Sequence, residues 1–371
     1  MTRKPSPSPL PPELAKLFAT IRERSGKSQG SLAFRACCTQ ALVSYVESGK
    51  RKPTPELFSV YLDLTGTDLD MQRRLLFSAA SAGLASAFIP QAALAERLNE
   101  SLNVDTGYWE ARVADLGRDH MRLGSDVMGP KVFDELLVLD TANRSGQLTV
   151  HIAKLTVLYA RAQSSVVEAD QYCRLAQHYA ALSGDAATIA WVNGRIALGK
   201  CDNPATSHEA APYADIALAQ TGATGTVGHL GIYLAHYAKA RSAAVLGDAD
   251  PALAHLEQAR YAYDAIDPDV DGSEWSYAQS RYMMDNSYVL DAVGRAAEAS
   301  RWADQAKESG VQGRFVTHLA LHPLVGRHRA GDATAAEEAR DLMAAIEPSK
   351  QSVTLRQVAA QAGAREYLRA A

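Results

Sequence analysis

Ser28 to Pro53 reads SQGSLAFRACCTQALVSYVESGKRKP, and the reading of this stretch decides the architecture. Ser28 is a good N-cap residue, and Leu32, Ala33 and Ala36 follow at helical spacing, so a short helix is predicted here. Thr39 caps a second helix, whose inward stripe is Leu42, Val43 and Val46. Ser48-Gly49 ends that helix, because glycine adopts the left-handed conformation a helix C-terminus needs. Lys50, Arg51 and Lys52 come next, and Pro53 blocks any continuation of the helix. The expectation is two short helices, a tight turn and a basic loop.

Such a unit suits double-stranded DNA. A helix fits the major groove, and its N-terminal residues reach base edges while flanking groups hold phosphates. Gln40 directly follows the Thr39 cap, and glutamine can pair bidentately with the N6 and N7 atoms of adenine. Ala41, Ser44 and Tyr45 share the face turned away from Val43 and Val46. Ser28 and Thr39, at the two helix starts, complete the DNA-facing set on these helices. The alternatives are an ordinary helical hairpin, packing of Tyr45 on a neighbouring helix, and a merely solvated basic loop.

The pattern SQ-x2-LA-x5-TQ-x2-V-x2-VESGKRKP resembles the helix-turn-helix of phage repressors and of the XRE family of bacterial regulators, over roughly Leu14 to Leu64. Family members usually carry glycine in the turn, where this chain has Ala36-Cys37-Cys38. The resemblance implies that Gln29 binds a phosphate and buttresses Gln40. It also implies that Lys50, Arg51 and Lys52 meet the backbone beyond the recognition helix. Contacts of that kind position a protein without reading sequence.

Outward from this motif, a first helix is expected from Glu13 to Arg24, with Leu14, Leu17, Phe18 and Ile21 inward, and a closing helix from Glu56 to Leu64. The chain of 371 residues is long enough for two or three domains, and its 47% apolar and 22% charged residues are those of a globular protein. The net charge of −4 is unevenly spread: residues 1–75 hold 12 Lys/Arg against 7 Asp/Glu, and the remainder holds 26 against 35. A basic module on an acidic body fits a DNA reader whose larger part must not itself adhere to DNA. The expected division is an arm over 1–11, the helix-turn-helix domain over 12–66, a linker helix region over 67–100 and a repeat domain over 101–371.

Arg73-Arg74 and the apolar run after them are similar to a twin-arginine export signal, too short for a membrane span and preceded by a DNA-binding head. A linker helix is the preferred reading, and no N-terminal signal peptide is read in the proline-rich opening. Cys37, Cys38, Cys173 and Cys201 show neither CxxC nor zinc-finger spacing, a usage that suits the reducing cytoplasm. Asp267 to Gly272 imitates the start of a calcium loop, but Ala278 stands where a bidentate glutamate is needed. No P-loop, dinucleotide or HExxH motif occurs, so neither enzyme activity nor a cofactor nor a metal is expected.

From Ser101 onward the chain reads as all-α. Gly247 is followed at +5, +9 and +12 by Ala252, Leu256 and Ala259, and Gly294 by Ala299, Ala303 and Ala306. Gly331 is followed at +5 and +12 by Ala336 and Met343, with Arg340 in the middle place. These offsets resemble a degenerate tetratricopeptide repeat, a helical hairpin of ~34 residues, stacked here into a solenoid. The helix pairs expected run from 107–141 through 148–182, 187–221, 229–266, 274–308 and 315–346 to a closing helix over 353–368.

Counting back 13, 10, 6 and 3 residues from Gly247 and Gly294 places Tyr237, Arg241, Arg281, Met284 and Tyr288 on the concave side. The same count from Gly199 adds Asn193, and from Gly331 it adds His318 and His328. Arginines hold carboxylates and amides hold backbone, so this groove suits a small-molecule or short-peptide effector. Ordinary packing between repeats is the other reading of each residue. The whole resembles the peptide-sensing regulators of Gram-positive bacteria and, more closely, the XRE regulators of actinomycetes. That implies a homodimer on a palindromic operator, sensing a ligand through its helical body. A DNA-anchored scaffold that recruits a partner protein through the solenoid is the alternative.

Overall fold

The computed structural model describes residues 10, 12–65, 106–123, 125–143, 146–163, 166–201, 206–267, 274–275, 277–311, 314–348 and 351–369. The expected arm (apart from Leu10), the linker region with Arg73-Arg74 and most of the calcium-like loop lie outside them. The chain forms two compact units, Met1–Asn99 and Glu100–Ala371. Among the described residues there is no strand.

The first unit is a four-helix head: α1 (Pro12–Arg24), α2 (Gln29–Arg35), α3 (Gln40–Glu47) and α4 (Pro55–Thr65). Most of the apolar positions the spacing predicts form its core, with Leu14, Phe18, Ile21, Leu32, Val43, Val46, Leu57 and Tyr61 buried, whereas Leu17 and Leu42, also expected inward, are half-buried. Phe18 packs against Tyr61 with ring centroids 4.6 Å apart and edge-on to Phe58 at 6.2 Å. The caps are those expected: Ser28 Oγ accepts from the Ser31 N–H at 3.2 Å, and Thr39 Oγ1 from the Leu42 N–H at 3.3 Å. Four such helices bury little apolar surface, so a polar clamp carries part of the cohesion. The Glu47 carboxylate on α3 accepts Arg22 Nε of α1 at 2.7 Å, Gln29 Nε2 of α2 at 2.8 Å and the Tyr61 hydroxyl of α4 at 2.7 Å. Burial and this bond push the Tyr61 phenol far up, so it stays a donor.

The second unit is a stack of helical hairpins. In chain order these are α5 (Thr106–Arg122), α6 (Ser125–Ala142), α7 (Thr149–Ala162), α8 (Val166–Ser183), α9 (Ala186–Lys200), α10 (Ala210–Leu218) and α11 (Gly225–Leu246). They continue with α12 (Ala249–Asp264), α13 (Gln279–Ala292), α14 (Ala296–Glu308), α15 (Arg314–Arg329), α16 (Thr334–Ala344), α17 (Val353–Gln361) and α18 (Glu366–Arg369). The odd-numbered helices from α7 to α17 form one row, each touching the next, and the even-numbered ones pack against that row. The long closing helix expected over 353–368 is broken at Gly363, where φ is +101°.

Gly247, Gly294 and Gly331 hold φ of +88°, +81° and +90°, so each marks the end of a first helix, as the offsets imply. Ala252, Leu256, Ala259, Ala299 and Ala306 are buried at their counted places. The third hairpin differs. There Ala335, Ala339 and Met343 face inward, while Arg340 is exposed and pairs with Glu366 at 2.8 Å. Arg340 does not interrupt the stripe, because the buried face of α16 is turned by one residue. Small residues also let α9 and α11 approach closely. A Cβ on Gly194 would come within 2.6 Å of the Gly231 carbonyl oxygen, and one on Gly231 within 2.5 Å of the Ala190 carbonyl carbon.

Candidate functional site

In the head, α2 and α3 are joined by the turn the motif requires. Ala36 is the C-cap of α2, the Cys37 N–H donates to the Phe34 carbonyl at 3.2 Å, and the Cys38 N–H reaches back to the Ala33 carbonyl at 2.9 Å. That double bond forces the residue between into the left-handed region, and Cys37 takes it with φ of +50°. Cys37 does what glycine does elsewhere, at a steric cost.

With the turn in place, α3 presents one face outward. Val43 and Val46 are wholly buried, whereas Gln40, Ala41, Ser44 and Tyr45 are exposed, Tyr45 at 45%. Ser28 and Thr39 are exposed at their caps; Lys50 and Arg51 are exposed and Lys52 is half-buried in the loop after α3. Gln29 is half-buried, with its amide nitrogen committed to Glu47. That leaves one amide hydrogen and the carbonyl oxygen of Gln29 for other partners. The sequence reading passed over Glu47, although its place within the quoted stretch, among helices that offer Arg22, Gln29 and Tyr61, was the available signal.

The body holds a partly open cavity of about 200 Å3, which reaches from α5 to α17 along the row of first helices. Of the residues predicted for the groove, Tyr237, Arg241, Arg281 and Met284 line it, as does His318; Asn193, Tyr288 and His328 do not. Asn193 is buried in α9, accepting from Gln177 Nε2 at 2.7 Å and donating to the Ile189 carbonyl at 2.8 Å. Tyr288 is buried beneath Arg241, whose guanidinium lies 4.0 Å from its ring centroid, and the Tyr288 hydroxyl donates to Gln361 Oε1 at 2.5 Å. Both residues support the wall.

The lining is cationic. Among the described residues it contains Arg161, Arg195, Lys200, Arg241 and Arg281 against Asp170 and Asp285. Lys200 at the rim is neutralised locally, 2.6 Å from Asp170 and 3.1 Å from Glu209. Behind the wall lies Glu274, delivered by the connection between α12 and α13 and fully buried. Arg161 pairs with it, Arg195 Nε is 3.2 Å from its Oε1, and Arg281 Nη1 is 3.6 Å from its Oε2. Arg195 also donates to the Glu274 backbone carbonyl at 3.0 Å. Burial pushes the Glu274 carboxyl up, but the three guanidinium groups outweigh it and hold the group well below the usual carboxylate range. For Arg195, burial wins and lowers it to about 9, so the side chain is still cationic at neutral pH.

Arg195 Nε and Nη1 and His322 Nδ1 are buried and have no hydrogen-bond partner among the described residues, although Arg195 Nε is ion-paired with Glu274. Burial keeps the His322 imidazole neutral, so it offers one donor and one acceptor nitrogen. Asp285 accepts the Tyr233 hydroxyl at 2.7 Å and the Tyr277 hydroxyl, and burial raises its carboxyl. The sequence reading missed Arg195, Glu274 and His322. A lone arginine in the apolar run WVNGRIALG was the signal for the first; Glu274 belongs to a loop and carried none.

None of the four cysteines is in a disulfide; Cys37 is exposed, Cys201 is buried, and burial raises the Cys173 thiol to about 12. Among the described residues no group of three or more His, Cys, Asp or Glu side chains is placed to hold a metal ion. No helix among them is long and apolar enough to cross a membrane.

A protein-family model described as a helix-turn-helix domain matches residues 13–75. The N-terminal unit is therefore a helix-turn-helix domain of the XRE-like kind, the type found in DNA-binding regulators. No curated protein and no solved structure matches the chain.

Proposed function

We propose that this protein is a sequence-specific transcription regulator that binds a palindromic operator as a homodimer. In this reading α3 lies in the major groove, Gln40 reads an adenine, and Ala41, Ser44 and Tyr45 complete the base-facing surface. Ser28, Gln29, Thr39, Lys50, Arg51 and Lys52 hold phosphates on either side. The observation that carries the proposal is the segregation of α3: two valines wholly buried, and every residue on the opposite face exposed and of a type that contacts DNA. The excess of positive charge over residues 1–75 supports it.

The body is read as a degenerate tetratricopeptide-like array that dimerises and senses a small ligand in its groove. Support comes from the hairpin stacking, the left-handed Gly247, Gly294 and Gly331, and a cavity whose lining includes five of the eight residues counted as groove-facing. A ligand bound there acts by favouring one spacing of the two heads over another, which requires different affinities for the two arrangements.

Selection of preferred sites from a random duplex pool, with the native chain and with Gln40→Ala, tests the assignment. The native chain should enrich a two-fold motif. Gln40→Ala should relax preference at one base pair per half-site, worth ~1–3 kcal/mol of discrimination. An unchanged motif in the variant removes Gln40 from base readout, and no enrichment by the native chain rejects the reading altogether.

A further inference from the structure

Between α11 and α12 stands a pair of histidines that belongs neither to the DNA-facing surface of the head nor to the lining of the cavity. His236 on α11 and His255 on α12 bring their Nδ1 atoms to 3.4 Å, with the two rings inclined at 33°. Both residues are half-buried, so the pair lies at the edge of the hairpin, within reach of solvent. The contact is long for a hydrogen bond, in which an N–H donor lies about 2.7–3.2 Å from an acceptor oxygen. It matches a different arrangement. Two imidazole nitrogens on one tetrahedral zinc-type ion, each ~2.0–2.1 Å from the metal, are about 3.3–3.4 Å apart.

The protonation state suits that use. Burial, ahead of neighbouring charges, lowers both imidazoles, His236 to about 4, so both rings are neutral and each keeps a nitrogen lone pair at neutral pH. A ring that ligates through Nδ1 carries its proton on Nε2. In a bond between two neutral rings one already has that form; the other reaches it by tautomerisation, so no proton is released.

The surroundings supply a counter-charge. Lys239, one turn along α11 from His236, pairs with Asp215 on α10, and the Asp215 carboxylate acts on His255 as well. The Asp215 side chain is 63% exposed, and an ion pair that open to water is weak, so it does not bar an incoming cation. Among the described residues no third His, Cys, Asp or Glu completes a set of three around one point. The site therefore offers two fixed nitrogen ligands and leaves the other positions to water.

We propose that His236 and His255 bind one divalent transition-metal ion of the zinc class through their Nδ1 atoms, with water at the remaining positions and the Asp215 carboxylate as the local counter-charge. The ion ties α11 to α12 and stabilises the body, whatever the head binds. Magnesium and calcium, which take oxygen ligands, are not accepted there.

The test uses the full chain, stripped of metal with a chelator and kept reduced with a phosphine, with zinc chloride as probe and magnesium chloride as control. Calorimetric titration and thermal unfolding are followed for each. Zinc should bind saturably and raise the melting temperature, and magnesium should do neither. His236→Gln and His255→Gln should each weaken zinc binding at least about tenfold, while Cys37→Ser with Cys38→Ser should leave it unchanged. Should a histidine variant fail to fold by circular dichroism, the histidine ring resonances of the native chain decide. Two of the ten, close to one another in space, should shift with zinc. Binding that survives both histidine variants, or that is lost with the cysteines, overturns the proposal by placing the ion elsewhere. An equal response to magnesium overturns the class of ion, and no saturable binding, or no paired histidine shift, overturns it entirely.

Discussion

Cys37 is the only residue other than glycine with positive φ among the described residues, and the turn between α2 and α3 depends on it. A side chain with a Cβ in that conformation costs roughly 1–2 kcal/mol, part of which glycine would repay through its larger entropy when unfolded. Cys37→Gly should therefore stabilise the head by about 1 kcal/mol. The four tryptophans of the chain, at 109, 191, 275 and 302, all belong to the body, so fluorescence does not report this change. Hydrogen exchange does: the amides of α2 and α3 should exchange several-fold more slowly in the variant. Faster exchange would mean that the thiol makes a compensating contact. At the same scale, His236 lies with its Nδ1 3.4 Å from His255 Nδ1, and burial first, then His255 and Lys239, lower its pKa to about 4. A histidine depressed from about 6.5 contributes stability above that pH and loses it on acidification, because the unfolded chain takes up the proton first. The melting temperature of the body should fall between about pH 6.5 and pH 4, and His236→Gln should flatten that decline. A slope identical in both proteins would remove His236 from the account.

At the scale of elements, close helix approach joins buried aromatic side chains in holding the body together. The contact of α9 with α11 shows this: Ala190, Gly194 and Gly231 bring two backbones together, and Ala197, Ala235 and Ala238 are buried in one cluster nearby. Gly231→Ala places a methyl group 2.5 Å from the Trp191 backbone nitrogen as well as from Ala190, and neither atom can rotate away. The variant should lower the tryptophan-monitored urea midpoint by an amount equivalent to roughly 1–3 kcal/mol. A midpoint equal to that of the native chain would show that the two helices separate without cost. Here the sequence was legible wherever the determinant is local. Caps at Ser28 and Thr39, glycines at hairpin turns and apolar stripes act within a few residues, and the helices they mark form, although the helix expected from 274 begins at Gln279 and the closing helix stops at Gln361. It was less legible in α16, where Arg340 looked like a fault in the stripe although Ala339 carries the buried position. An offset counted from a glycine does not register where the next helix begins.

At the scale of the whole molecule, the head was legible almost to the residue and the groove only in part. Offsets along one helix find its inward face, and so Tyr237, Arg241, Arg281 and Met284 were found. They do not reveal what arrives from elsewhere. Glu274 joins Arg161 across 113 residues of chain, and Trp275 donates to the Val113 carbonyl at 2.9 Å, so the charge balance of the groove is set by a connection with no pattern of its own. Charge is divided along the chain, with an excess of basic residues over 1–75 and of acidic residues over the remainder, a distribution that suits the proposed DNA-binding head.

The central claim, that the head reads DNA as one half of a symmetric pair, is tested most directly by hydroxyl-radical footprinting of the full chain on a duplex it selects. The account predicts two protected windows of equal depth, related by two-fold symmetry, with centres about one helical turn or a whole multiple of it apart. A single window, or shallow uniform protection that vanishes with modest added salt, would contradict it.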